Sequence, residues 1–154
     1  MRMLTFLKKK KTKHLNKSMT KFFSYGPLWQ STGLILIRWT VGAFLIFHGW
    51  EIFNETIMNK YLHWDQFKNS NGKLLVYSGK VAELIAGILF VLGLFTRIAC
   101  LLIIGVMCYI AFFLGKGIIW YDDQHPFLFV LLALVFFFTG PGNFSLDKMI
   151  CKKS

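Results

Sequence analysis

The residues of this chain that could do chemistry are ionisable groups set inside apolar stretches: Arg38, His48, Glu51, Lys80, Glu83, Arg97 and, just before the last such stretch, His125. A charge in hydrocarbon is costly, so each needs a partner, a wet cavity or a ligand. His48 and Glu51 stand three residues apart, as do Lys80 and Glu83. On a helix that spacing puts both members of a pair on one face. An imidazole beside a carboxylate can exchange a proton, and an ammonium beside a carboxylate can hold an ion pair or a polar headgroup. Tyr77 adds an aromatic wall near Lys80. His48, Glu51, Tyr77, Lys80 and Glu83 are therefore the candidate ligand or proton site, expected between the first two long helices, and Arg38, Arg97 and His125 are read as structural charges. The competing account is a closed set of ion pairs that only fixes helix register.

Glu83 carries the most information. Gly79 and Gly87 flank it four residues away on each side. That stripe lets a second helix approach closely, so the carboxylate must point into the bundle. Glycine can either tighten a helix pair or leave a cavity, and both outcomes remain open at this point. Haem ligation by His48 and His125 would need two free imidazoles facing each other. No metal-ligand spacing, phosphate loop or nucleophile with a positioned base is present.

The elements that must position these groups follow from composition. Of 154 residues, 55% are hydrophobic, 16% are charged and 17 are Phe. A soluble domain carries about 25% charged residues, so a soluble surface could not be covered. Disorder is excluded for the same reason. Four apolar segments stand out: Ser31–Phe53, Leu74–Phe95, Arg97–Gly115 and Pro126–Gly140. A spanning helix needs about 20 residues, so the last must recruit Gln124 and His125 at one end and Pro141 at the other. The expected fold is all-α, an integral membrane four-helix bundle. The first segment is too long for a signal peptide and no small-residue cleavage site follows it, so it is expected to remain as the first helix.

Charge gives the orientation. Arg2, Lys8, Lys9, Lys10, Lys11, Lys13, Lys17 and Lys21 put +8 of the net +11 into residues 1–21. Such an arm before an apolar helix is a topology signal attracted to anionic lipid, not a nucleic-acid arm. The short loops carry little charge and the tail is basic, so both termini are expected in the cytoplasm. Tyr25 and Trp29 then mark the inner interface, and Trp50, Tyr61, Trp64, Trp120 and Tyr121 the outer one. His48, Glu51, Lys80, Glu83 and His125 converge on the outer half, with Arg38 and Arg97 about a helix length away. In the loop 54–73, Ile57, Tyr61, Trp64 and Phe67 approximate helical spacing and predict a short surface helix. The domain plan is a basic arm at 1–30, a four-helix domain at 31–142 and a cytoplasmic tail at 143–154. Cys100 and Cys108 lie about 12 Å apart along one helix, too far for a disulfide, and no redox cysteine pair occurs.

The ordered set of His48-Gly49 at the end of the first helix, AELIAGILFVLGLFTR over 82–97, YDDQHPFLFVLLALVFFFTGPG over 121–142 and GPGNFSLD over 140–147 resembles the DoxX family of bacterial four-helix membrane proteins. The resemblance covers about residues 34–150, with His48, Glu83, Arg97 and Gly140–Asp147 as matched positions. It implies a multi-pass protein of the bacterial inner membrane associated with redox chemistry, since related subunits serve quinone-linked thiosulfate oxidation, terminal oxidases and oxidative-stress complexes. Without a soluble domain, a flavin site or a redox cysteine pair, the expectation is a non-autonomous subunit. It would bind a quinone or similar amphiphile and serve a redox protein partner, in contact with the lipid bilayer and not with nucleic acid. A structural or assembly protein without ligand is the first alternative. A small transporter is the second, and it would require a homo-oligomer.

Overall fold

The computed structural model describes residues 29–68 and 71–151. The basic arm, Tyr25 and the lysines at 152 and 153 lie outside the described residues. The described residues are helical, without strands: α1 Gln30–Trp50, α2 Glu55–Leu62, α3 Gly72–Leu92, α4 Thr96–Tyr109, α5 Gln124–Thr139 and α6 Leu146–Cys151. Short 3-10 turns at Glu51–Phe53 and Asp65–Phe67 flank α2. The stretches Gln30–Phe53, Gly72–Leu92 and Thr96–Leu114 are long and apolar enough to cross a membrane. Their outward side chains, among them Leu36, Phe44, Phe47, Ile85, Ile88 and Leu101, are exposed and apolar, which suits lipid rather than water.

α1, α3, α4 and α5 share one core. Val41 and Leu45 meet Ala86 and Phe90, Ala99, Cys100, Ile103 and Met107, and Phe129, Val130, Ala133 and Phe136. The Phe90 and Phe136 rings meet edge to face with centroids 4.9 Å apart, a favoured geometry for aromatic pairs. Where α1 crosses α3 there is no room for side chains. A Cβ on Gly49 would sit 2.5 Å from the Leu84 nitrogen, and one on Gly87 would sit 2.8 Å from the Ile46 nitrogen. Lipid gives helices no hydrophobic drive to associate, so such close backbone contact is what binds them.

Three element boundaries depart from simple expectation. α4 does not run evenly to Gly115; it passes into a π turn at Ile110–Leu114, with the Gly115 N–H donating to the Ile110 carbonyl at 2.7 Å. α5 starts at Gln124 as expected but ends at Thr139, giving 16 residues, or about 24 Å. It is stopped by Gly140 at φ 78°. The predicted loop helix forms as α2, opened by the Asn54 side chain accepting from the Ile57 N–H. Its Met58 is buried with Phe67 and Val76 in a second, smaller apolar cluster, so α2 is docked onto α3 rather than lying free on a surface.

The link from α3 to α4 is short and strained. Gly93 adopts φ 63° and Phe95 adopts φ 46°, a region costly for a residue with a side chain. Asp147, at the start of α6, holds it in place: its carboxylate accepts from the Phe95 N–H at 2.7 Å and the Thr96 N–H at 2.9 Å. An acid at a helix N-terminus satisfies orphan donors and opposes the helix dipole.

Candidate functional site

At one end of the bundle, four of the five sequence-predicted residues form a connected polar cluster. Lys80 Nζ donates to Glu51 Oε2 at 2.8 Å and to Glu83 Oε2 at 3.1 Å. His48 Nδ1 lies 3.6 Å from Glu51 Oε1. The pairs written three residues apart in the sequence are thus joined across helices by the single ammonium of Lys80. The Glu83 side chain is only 5% exposed and that of Lys80 only 13%. Two carboxylates that close need the cation between them, because in a low-dielectric setting their repulsion is strong.

Tyr61 completes the cluster. Its hydroxyl donates to Glu51 Oε2 at 2.7 Å, and its ring lies under Lys80, 4.9 Å from Nζ to centroid. Burial, and then the hydrogen bond to Glu51, hold the Tyr61 phenol above its ordinary pKa. The sequence assigns Tyr61 to an interfacial aromatic belt together with Trp50, Trp64, Trp120 and Tyr121. The other four are exposed, whereas Tyr61 is half-buried. The signal that could have separated it is the register of α2, where Tyr61 falls three residues after the buried Met58, on the side facing α3.

Beside the cluster lies a cavity of about 240 Å³. Its polar lining is His48, Tyr61, Lys80, Glu83, Tyr109 and His125. The rest is apolar and largely aromatic: Trp64 and Phe67 from the loop, Val76 and the bare backbone of Gly79 on α3, Met107 and Ile110 near the end of α4, and Phe129 on α5. The π turn widens α4 at this level and places Ile110 and Leu114 on the wall. Gln66 donates to the Leu114 carbonyl at 3.2 Å and ties the loop to that wall. Expectation puts the site between the first two helices. The cavity instead lies among α3, α4, α5 and the loop, with His48 as the contribution of α1.

The remaining predicted residues divide as follows. Glu51 is in the ion cluster but does not line the cavity. Tyr77 does not line it either; it packs against the Met58 cluster, with Lys73 Nζ 5.9 Å from its ring centroid. His125 lines the cavity, and its ring centroid is 6.4 Å from that of His48 with planes at 73°. The two glycines flanking Glu83 do opposite things. Gly87 is pressed against α1, whereas a Cβ on Gly79 would meet nothing within 4 Å. Among the described residues no group of three or more His, Cys, Asp or Glu side chains could hold a metal ion.

Arg38 and Arg97 are at the other end of the bundle. Arg97 is exposed. Arg38 is 1% exposed and donates to the Pro141 carbonyl and, at 2.6 Å, to the Phe144 carbonyl. Its partners are backbone groups more than a hundred residues on, which no local pattern announces.

The DoxX family matches residues 33–116. The chain belongs to the DoxX family. The match takes in α1 to α4 and the π turn, and with them His48, Glu51, Tyr61, Lys80 and Glu83. It ends before His125 and the Tyr121–Asp147 stretch. This DoxX protein is 33% identical over 131 residues to an uncharacterized protein of Haemophilus influenzae, covering 78% of this chain and 92% of that relative. No solved structure matches the chain significantly. Membership in DoxX together with the three long apolar helices makes it a membrane protein.

Proposed function

We propose that this DoxX protein is a non-autonomous subunit of a quinone-linked redox system in the bacterial inner membrane. It binds a small flat amphiphile in the cavity at the His48 end and serves a redox partner. The observation that carries this reading is the cavity itself: an apolar, aromatic-walled space of about 240 Å³ with Lys80, Glu83 and His48 converging on it. A few fixed polar groups in an apolar cleft are the usual form of a small-molecule site. α5 serves as a fourth span, completed by Pro141, with the tail from 143 and the arm up to 30 in the cytoplasm. The cavity then opens toward the outer leaflet.

Native mass spectrometry of the protein released from membrane-derived discs tests this reading. A co-purifying quinone, or a bound redox protein, supports it. Bare protein from every lipid tested supports the alternative of an assembly protein, which the mutual pairing of Glu51, Lys80 and Glu83 also favours. A ring-shaped homo-oligomer supports the transporter alternative. Orientation is checked by cysteine-accessibility labelling: positions near Lys60 and Asp122 should react from outside, and positions near Lys11 and Lys152 from inside.

A further inference from the structure

The cavity at the His48 end is too small for a whole membrane amphiphile. Its volume of about 240 Å³ falls short of the roughly 300–1,000 Å³ of a pocket that encloses a drug-sized molecule. It has room for a ring with short substituents, so a longer molecule must continue into a neighbouring space. Two recesses share lining residues with it. Through Trp64 it borders a recess on α2 lined by Thr56, Asn59, Lys60 and His63, which is polar and unsuited to hydrocarbon. Through His125 and Phe129 it borders a groove of about 380 Å³ between α1 and α5. Leu36, Thr40 and Phe44 from α1 and Leu128, Phe129 and Leu132 from α5 line that groove. The Thr40 hydroxyl is engaged within its own helix, donating to the Leu36 carbonyl at 2.9 Å. Leu36, Phe44 and Leu128 are exposed, while Val41 and Phe129 form a buried floor.

We propose that this groove holds the hydrocarbon tail of the ligand whose ring sits in the cavity, so that the ligand is a ring carrying one long apolar chain, taken from the bilayer through the seam between α1 and α5. This rests on the ligand site proposed above and adds to it the class of ligand and its way in. The first reason is the order of polarity along the two spaces. Lys80, Glu83 and His48 line the cavity at one end of the bundle. From there the groove runs along α1 from Phe44 back to Leu36, ~12 Å, toward the middle of the span. An amphiphile in one leaflet has the same order, with its head at the interface and its chain in the hydrocarbon core. The second reason is the thinness of the partition. Rings close the seam: Phe44 meets Phe129 with centroids 6.4 Å apart, Phe129 meets His125 at 5.2 Å, and His125 meets His48 at 6.4 Å. His125 is exposed, and exposed side chains change rotamer within nanoseconds. A chain can therefore pass beside it without parting the helices. The groove adds little affinity, because lipid is as apolar as its walls and supplies no hydrophobic drive. It adds position, holding the ring in one orientation before the polar cluster.

The test maps photo-crosslinks on the full chain in lipid nanodiscs by peptide mass spectrometry. The probes are an azido-benzoquinone without a tail, a decyl-benzoquinone with a diazirine in its chain, and a phosphatidylcholine bearing the same diazirine chain. The tailless probe should label cavity residues such as Val76 and Tyr109. The tailed probe should label residues 36–44 and 128–132, and unlabelled decyl-benzoquinone should remove that signal. The phosphatidylcholine probe should spread over the outward faces of the bundle, Ile88 and Leu101 included. Thr40→Trp fills the groove and should lower the tailed signal about tenfold. Ile88→Trp, on an exposed face of α3, should leave it unchanged. Tail label that spreads as the phosphatidylcholine label does, or that persists undiminished in Thr40→Trp, overturns the groove while leaving the ligand site standing. Selective groove labelling by phosphatidylcholine that decyl-benzoquinone does not displace marks a site for structural lipid and overturns the tail assignment. If unlabelled quinone removes no label of either quinone probe, the ligand site falls, and this inference with it. The mapping on the unsubstituted protein needs no variant to fold.

Discussion

The two ends of the bundle bury charge in opposite ways. At the Arg38 end the guanidinium is clamped by the Pro141 and Phe144 carbonyls, and Asp147 caps α4 beside it. The atoms left without partners there, Arg38 Nε and Thr96 Oγ1, are walled in by protein, and neither residue lines the cavity. At the His48 end, Glu51, Lys80 and Glu83 pair with one another, and Lys80 and Glu83 also line the cavity. Burial of a charge therefore does not mark a ligand site. What sets the His48 end apart is empty volume beside the paired charges. The first end holds the chain's C-terminal turn to the bundle, and the second leaves room for something else to bind.

The largest stability effects should come from the cation at each end. Lys80→Ala leaves Glu51 and Glu83 facing each other without their shared ammonium. It should cost about 3–5 kcal/mol, the range for breaking a buried pair, read by thermal melting in detergent. Arg38→Ala should cost a similar amount and also free the C-terminal turn, seen as faster proteolysis after Gly140. If Arg38→Ala melts like the parent protein, the clamp contributes nothing and the comparison fails at that end.

Glycine substitutions sharpen the contrast. Gly93→Ala puts a Cβ 2.6 Å from Arg38 Nη1 at a position with φ 63°, and should destabilise by about 1–3 kcal/mol. Gly79→Ala meets open space and gains helix propensity, so it should be neutral or stabilising by up to about 1 kcal/mol. The same substitution reduces the cavity, so ligand retention and stability should move in opposite directions. A marked loss of stability from Gly79→Ala would show that the cavity is closed in solution.

Glu83→Gln keeps shape and one hydrogen bond, and should cost less than Glu83→Ala, itself about 3–5 kcal/mol at most. The smallest effect is that of Tyr61→Phe, about 1 kcal/mol near neutral pH for a part-exposed hydrogen bond to a carboxylate. Its pH dependence has a definite sign. The folded-state pKa of Tyr61 is raised, so the neutral phenol is favoured in the fold. Its contribution is full below the ordinary tyrosine pKa of about 10 and fades as pH rises through the higher folded value. Melting curves of the two proteins should therefore converge at alkaline pH. Curves that stay parallel would remove Tyr61 from the cluster.

Local pattern was enough to read the three long helices, the tight α3–α4 link, the existence of the loop helix though not its docking, and the two pairs spaced three apart. Each rests on hydropathy, helical periodicity or charge over a short stretch, and such signals survive without knowledge of neighbours. The same signals place Tyr61 at an interface and the ligand space between the first two helices. The first error comes from treating an aromatic near a membrane edge as interfacial when α2 folds back onto α3. The second difference is one that periodicity leaves open: Gly87 tightens a helix crossing, whereas Gly79 leaves space.

What the sequence by itself determined is that the chain spans a membrane with all-helical segments, and that Lys80 and Glu83 share an inward face. What only the tertiary structure decided is that Gly87 closes a helix crossing while Gly79 leaves a cavity, that one lysine serves two carboxylates from different helices, and that Arg38 is held by carbonyls of residues 141 and 144. The physical reason is that a residue's hydropathy belongs to that residue, whereas empty volume and unused hydrogen-bonding valence belong to the set of side chains that meet. That set is fixed by how the helices cross, which no single segment encodes.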